Sequence, residues 1–141
     1  MTDADAQRSV TITRIARGRY AATNGRGGRI EFGGGDDSEF TPVELFLAAI
    51  GGCTGIDVDL ITSRQAQPNA FSIGVDARKV RDERGNHLTD ISVTFGLGFP
   101  DGNDGDAARA VLPQAVQRSH DRLCTVSRTV ELGTSVATTI G

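Results

Sequence analysis

The run Thr41-Pro42-Val43-Glu44, followed by Leu45-Phe46-Leu47-Ala48-Ala49-Ile50-Gly51-Gly52-Cys53-Thr54-Gly55, constrains the fold of this chain more than any other feature. Thr41 caps the free amides of a helix start, Pro42 suits the first helical position, and Glu44 at the third completes a capping box. The helix that opens here extends to about Arg64, with Pro68 beyond its end. Its first half is apolar nearly all round, which is the pattern of a helix buried in a core. Gly51, Gly52 and Gly55 each cost about 1 kcal/mol relative to Ala inside a helix. Close backbone packing or the approach of a ligand must therefore compensate for them. With such a helix at its centre, a chain of 141 residues is expected to form a single domain over residues 1–141.

The flanking segments supply strands. Val10, Ile12 and Tyr20 to Thr23 have strand-like alternation and β-branched content, Asn24-Gly25 is a hairpin signal, and Arg29 to Phe32 forms the returning strand. The N-terminal quarter thus reads as a hairpin or meander. Beyond the helix, Phe71, Ile73, Val75 and Ala77 alternate with polar residues, as do Ile91, Val93, Phe95, Leu97 and Phe99 after a polar turn near Asp82 to Asn86. These predict a second hairpin. Ala108, Val111, Leu112, Ala115, Val116, Ser119 and Leu123 fall at helical spacing, with Pro113 either kinking one helix or starting a second. Thr129 to Ile140, rich in Thr and Val, reads as a strand that closes the sheet. The glycine-rich stretches Gly25 to Gly35 and Gly96 to Gly105 read as long loops.

Charge narrows the partners. The 15 Lys and Arg against 18 Asp and Glu give a net charge of -3, and the basic residues are scattered. No stripe is available to displace counterions from a nucleic-acid backbone, so no nucleic-acid partner is expected. Met1 to Gln7 is acidic and polar where a secretory signal is basic and then apolar. The greasiest run, Leu45 to Ile50, is far shorter than the roughly 20 residues of a membrane span. A cytoplasmic protein without a membrane partner is the expectation.

Two cysteines, Cys53 and Cys124, lie 71 positions apart, so they form neither a CxxC pair nor a zinc knuckle, and a purely structural disulfide does not suit the cytosol. By residue type alone Cys53 is a small core hydrophobe, as free Cys commonly is. Far beyond the first helical turn, it gains little from the helix dipole and needs a nearby cation to become a thiolate. Glu44 by its local pattern is a capping residue. Nine residues separate it from Cys53, which places the two about 180° apart around the helix and about 13.5 Å apart along it. They cannot share a site within one straight helix, so a common site would require a second subunit to supply the Glu. His120, four residues before Cys124, faces it if that segment is α-helical, although a solvated His is the plainer reading. The chain has no zinc motif, Walker loop or GxSxG.

The string Thr41-Pro-Val-Glu-Leu-Phe-Leu-Ala-Ala-Ile-Gly-Gly-Cys53-Thr and the later Ser119-His-Asp-Arg-Leu-Cys124-Thr-Val-Ser127 together resemble the two signature segments of the OsmC/Ohr family. The resemblance spans residues 10 to 141 or so. It implies an α+β OsmC-like fold, with antiparallel sheets wrapped around a long central helix in an intertwined homodimer and an active site at each side of the interface. Family members of the peroxidase type reduce organic hydroperoxides. By that resemblance Cys53 is the peroxidatic thiolate and Cys124 resolves its sulfenic acid as a disulfide, with a small dithiol or a lipoylated protein as reductant and no metal or flavin. The family Glu corresponds to Glu44, and the family Arg that stabilises the thiolate corresponds to Arg29, with Arg26 or Arg19 as alternatives. A non-peroxidatic relative, binding a small apolar or thiol ligand at the dimer interface, is the other implied function.

Overall fold

The computed structural model describes residues 6–141. Two compact units divide the chain, the first reaching to Phe46 and the second running from Leu47 to Gly141. In the first, β1 (Thr11–Ala16), β2 (Arg19–Thr23) and β3 (Arg29–Gly33) form an antiparallel sheet in chain order, the expected meander. Asn24 makes the β2–β3 turn: its Oδ1 accepts the amides of Arg26 at 3.0 Å and Gly28 at 2.9 Å. The hairpin stands where the Asn-Gly signal puts it, but as a longer Asx-type loop between Thr23 and Arg29 in which Gly27, at φ 90°, and not Gly25 takes the left-handed region. Tyr20 pairs with Phe32 across the strands and their rings stack with centroids 5.7 Å apart. Cross-strand aromatic contact of this sort fixes register. In the same sheet face, Ile12 and Ile30 flank Ala22 in register yet stay exposed.

Helix α1 (Pro42–Thr62) begins where the capping box predicts and ends two residues short of Arg64. Thr41 Oγ1 accepts the Glu44 amide at 3.2 Å, and Glu44 Oε1 accepts the Thr41 amide at 2.9 Å. Length and mean hydropathy make α1 long and apolar enough to cross a membrane. One stripe of it, Ile50, Gly51, Thr54, Gly55, Val58 and Thr62, is instead buried by protein. Burial is confined to that stripe within a single chain: Ile56 and Leu60 stand 64% and 62% exposed. The apolar surround predicted from the sequence is therefore only half satisfied by the chain's own fold.

In the second unit, β4 (Ala70–Asp82) and β5 (Gly85–Gly98) form one long antiparallel hairpin with a bulge between Asp76 and Arg78. The helix lies close on β4 because of its glycines. A Cβ on Gly51 would come within 2.6 Å of Val75 Cγ2, and one on Gly55 within 2.5 Å of Ile73 Cδ1. Gly51 and Gly55 thus have the close packing that their helix cost demands, while Gly52 faces open space. Helix α2 (Asn103–Arg118) buries Gly105, Ala108 and Ala115. It runs unbroken through Pro113, whose ring is on the exposed side. A π-helical turn over Ser119–Leu123 follows it, and then helix α3 (Thr125–Leu132).

Two sequence expectations are corrected. Neither glycine-rich stretch is wholly loop, since β3 occupies Arg29–Gly33 of the first, and in the second β5 continues through Gly98, with Gly96 opposite Ser72 and Gly98 opposite Ala70. The closing strand over Thr129 to Ile140 is absent: α3 occupies the chain to Leu132, and residues 134–141 have no regular structure. Local caps override the strand propensity of Thr and Val there. Cys124 accepts the Ser127 amide at the helix start, and Gly133 ends the helix in the left-handed region at φ 67°.

Candidate active site

Cys53 sits half-buried on α1, and Cys124 is fully buried in the joint between the π-helical turn and α3. The fold brings them close enough for the Cys124 side chain to act directly on the Cys53 thiol. Both are free thiols. The first turn of α3 supports the pair. Cys124 Sγ accepts the Ser127 amide at 3.4 Å, and the Val126 backbone hydrogen-bonds to Cys53. Burial pushes the Cys53 thiol above its ordinary pKa; the Val126 hydrogen bond opposes this, and Cys124 and the Asp57 carboxylate add to it. None of these influences is a cation. Cys53 is therefore held as the thiol by its own chain at neutral pH.

A buried polar chain joins the segments bearing the two cysteines. Thr54, next to Cys53, meets the Ser119 hydroxyl at 2.6 Å, and Ser119 donates at 2.7 Å to Oδ2 of Asp57, one turn beyond Cys53. Ser119 opens the π-helical turn, and its carbonyl accepts the Cys124 amide at 2.9 Å. Sequence reasoning missed these three residues. The available signal was Asp57, a carboxylate in an apolar helix at the spacing that shares a face with Cys53.

Beside the pair is a cavity of about 610 Å³, with apolar walls from Ile50, Ile91, Val93, Phe95 and Val116. Two of its lining residues belong to the cysteine surroundings: Thr54 follows Cys53, and Ser127 gives its amide to Cys124. His120 and Glu131 also line it. His120 does not face Cys124, because the segment is π-helical instead of α-helical. Its Nδ1 meets Asp121 at 3.0 Å and its Nε2 meets Glu131 on α3 at 2.8 Å. The Asp121 hydrogen bond and the Glu131 charge raise the His120 pKa above the usual value. Arg128 reaches the same Glu131 at 3.3 Å.

The remaining candidates are engaged within the first unit. Glu44 is held in the capping box. Arg29 pairs with Glu31 at 2.6 Å, and that pairing draws the Glu31 carboxyl below its ordinary pKa. Arg19 reaches Glu31 at 3.2 Å and Asp37 at 3.8 Å. Arg26 lies in the Asn24 turn. Among the described residues no cluster of three or more His, Cys, Asp or Glu side chains is placed to hold a metal ion.

The sequence profile of OsmC-like proteins matches residues 34–139, a stretch that contains both cysteines. The chain belongs to the OsmC-like family. An uncharacterised protein of Mycobacterium tuberculosis H37Rv is 28% identical over 134 residues, covering 89% of this chain and 90% of its own length. The OsmC-like fold recurs in an OsmC-like protein of unknown function from Vibrio cholerae, 14% identical with a TM-score of 0.73 over 89% of this chain and 94% of that one. It recurs also in the organic hydroperoxide resistance protein OhrB of Bacillus subtilis, 18% identical with a TM-score of 0.53 over 87% and 90%. An α+β architecture of antiparallel sheets and helices is common to them.

Proposed function

We propose that this OsmC-like protein is a thiol-dependent peroxidase that reduces organic hydroperoxides with two cysteines. The observation that carries the reading is the juxtaposition of two free thiols, one half-buried and one fully buried, beside an apolar cavity. The Bacillus subtilis structural relative is named for resistance to organic hydroperoxides, the substrate class proposed here. Cys53, as thiolate, attacks the outer peroxide oxygen, the O–O bond breaks, and the alkoxide leaves as an alcohol after taking a proton. The Cys53 sulfenic acid is then attacked by the Cys124 sulfur, whose thiol proton passes to the departing hydroxide, so that water leaves and a disulfide remains. A small dithiol or a lipoylated protein returns both sulfurs to thiols by two exchanges, becoming a disulfide itself.

The working unit in this reading is a homodimer in the cytoplasm. Apolar side chains left uncovered by the single chain, Ile56 and Leu60 on α1 and Ile12 and Ile30 on the first sheet, support a second copy as the cover. Cys53 needs a cation that the groups shifting it within its own chain do not supply, and a second copy provides Arg29 for it, oriented by Glu44.

The test is hydroperoxide consumption with dihydrolipoamide or dithiothreitol by the wild type, Cys53→Ser and Cys124→Ser, with thiols counted before and after one equivalent of peroxide. Loss of two thiols per chain, with turnover abolished in Cys53→Ser, is the expected result. Intact thiols and no turnover with either reductant would overturn it. A second reading, a non-peroxidatic protein that binds a small apolar ligand, is favoured by one observation: neither cysteine lines the cavity wall. Ligand retained by the cavity together with peroxide-inert thiols is its signature.

A further inference from the structure

Ser119 is bonded in two directions. Its hydroxyl donates to Asp57 Oδ2 at 2.7 Å, so the 2.6 Å contact with Thr54 is donated by Thr54. Its carbonyl accepts the Cys124 amide at 2.9 Å, five residues on, which closes the π-helical turn. Ser119 is fully buried and Thr54 is 6% exposed. Polar groups so buried are costly unless bonded, and here they bond each other, with Ser119 also reaching Asp57 on the helix that bears Cys53.

The turn between Ser119 and Cys124 has a simple alternative. An α-helical turn would bond the Cys124 amide to His120 instead, and the position of Cys124 would rotate by about 100° around the axis. π-helical turns are rare because the α form is ordinarily preferred. Something must hold the wider turn, and the tie from Ser119 to Asp57 and Thr54 is anchored at the residue where it opens.

We propose that Ser119 is a positioning residue for disulfide closure, tying the π-helical turn to Asp57 and Thr54 so that the Cys124 sulfur stays beside the Cys53 sulfur. This rests on the two-cysteine reading above. The hydrogen bonds of Ser119 go to Thr54, Asp57 and the Cys124 amide, so it acts through the position of Cys124. Its effect is on how readily the two thiols join, whatever oxidant accepts their electrons.

Glutathione buffers measure that directly. Two exchanges transfer two electrons and two protons from Cys53 and Cys124 to one glutathione disulfide, giving the protein disulfide and two glutathione thiols. The closure constant would be compared for the full-length wild type, Ser119→Ala, Asp57→Ala and Asp57→Asn, with far-UV circular dichroism confirming the fold of each. Ser119→Ala and Asp57→Ala are expected to lower the constant by about tenfold, in keeping with loss of a hydrogen bond to a charged group. Asp57→Asn keeps an acceptor oxygen and is expected to stay close to wild type. Asp57, only half-buried, serves if Ser119→Ala fails to fold. A wild-type constant in the folded alanine variants overturns the proposal, as does Asp57→Asn falling as far as Asp57→Ala, or failure of the wild type to close. Because no peroxide is used, a protein that closes its disulfide normally yet consumes no hydroperoxide would sink the peroxidase reading alone.

Discussion

Gly51 and Val75 approach so closely that a methyl group on the glycine would stand 2.6 Å from Val75 Cγ2. Real Cβ atoms do not come so near, so Gly51→Ala must push α1 off β4 or turn Val75 out of its rotamer. A net destabilisation of about 1–3 kcal/mol is expected, after the gain in helix propensity is counted. Combining it with Val75→Ala removes the obstructing methyl, so the double variant should be more stable than the sum of the single effects. Urea unfolding of the four proteins checks this. Strict additivity would show that the helix does not rest on the strand as described.

The capping box separates structure from chemistry at Glu44. Thr41→Ala is expected to cost about 1 kcal/mol by leaving the Glu44 amide uncapped. Glu44→Gln keeps an oxygen that accepts the Thr41 amide, so its unfolding midpoint should stay near wild type. If Glu44 also orients Arg29 in the proposed dimer, hydroperoxide turnover of Glu44→Gln should nevertheless fall by tenfold or more, about the worth of one charge-assisted hydrogen bond. Equal turnover at equal stability would confine Glu44 to the cap.

Much of this was legible in the sequence because it is local. The Thr41–Glu44 box, the Asn24 turn and the alternation of Phe71 to Ala77 each encode their structure within a few residues, and each is found where expected. The C-terminal segment misled for the opposite reason. Thr and Val favour strands only when a neighbouring strand is there to pair with, whereas the Cys124 and Gly133 caps specify a helix without any partner. At the site, the pairing of Cys53 with Cys124 followed from a resemblance and not from spacing. The Asp57–Ser119–Thr54 chain was invisible, since residues 62 and 65 positions apart leave no periodic trace. The π-helical turn also escaped, and with it the direction in which His120 points.

His120 predicts a pH dependence for the segment after Cys124. Its partners are Asp121 on its own turn and Glu131 on α3, with Arg128 beside Glu131, Gln117 bonded to Asp121, and Asp90 of β5 lining the same cavity. The folded pKa is raised above the unfolded value, so the protonated form is favoured by folding. Its contribution is fully present below the unfolded pKa of about 6.5 and is lost as pH rises through the folded pKa. His120→Gln should therefore lower the melting temperature most at pH 5.5 to 6 and least at alkaline pH, where the wild type too lacks the ion pair. A constant difference across that range would exclude the charged clamp. The group is largely exposed, so the shift should be small and should shrink in salt.

Cys53 offers the sharpest test of the second subunit. Within one chain, burial, Cys124 and Asp57 push its thiol above the usual pKa of about 8.5, against the single hydrogen bond from Val126. A cation brought by a partner acts in the opposite sense and restores thiolate at lower pH. Leu60→Asp places a charge on the exposed apolar stripe of α1, at a position 62% exposed in the single chain, and should dissociate the proposed dimer without disturbing the subunit. The pH profile of Cys53 alkylation by iodoacetamide, measured in a Cys124→Ser background with the assembly state followed by size-exclusion chromatography, then compares the two states. Midpoint displacement to higher pH in Leu60→Asp is expected, and hydroperoxide turnover near neutrality, measured with Cys124 present, should fall with it. Coincident profiles for dimer and monomer would mean that no partner cation reaches Cys53, and that Arg29 has its role only in the ion pair with Glu31.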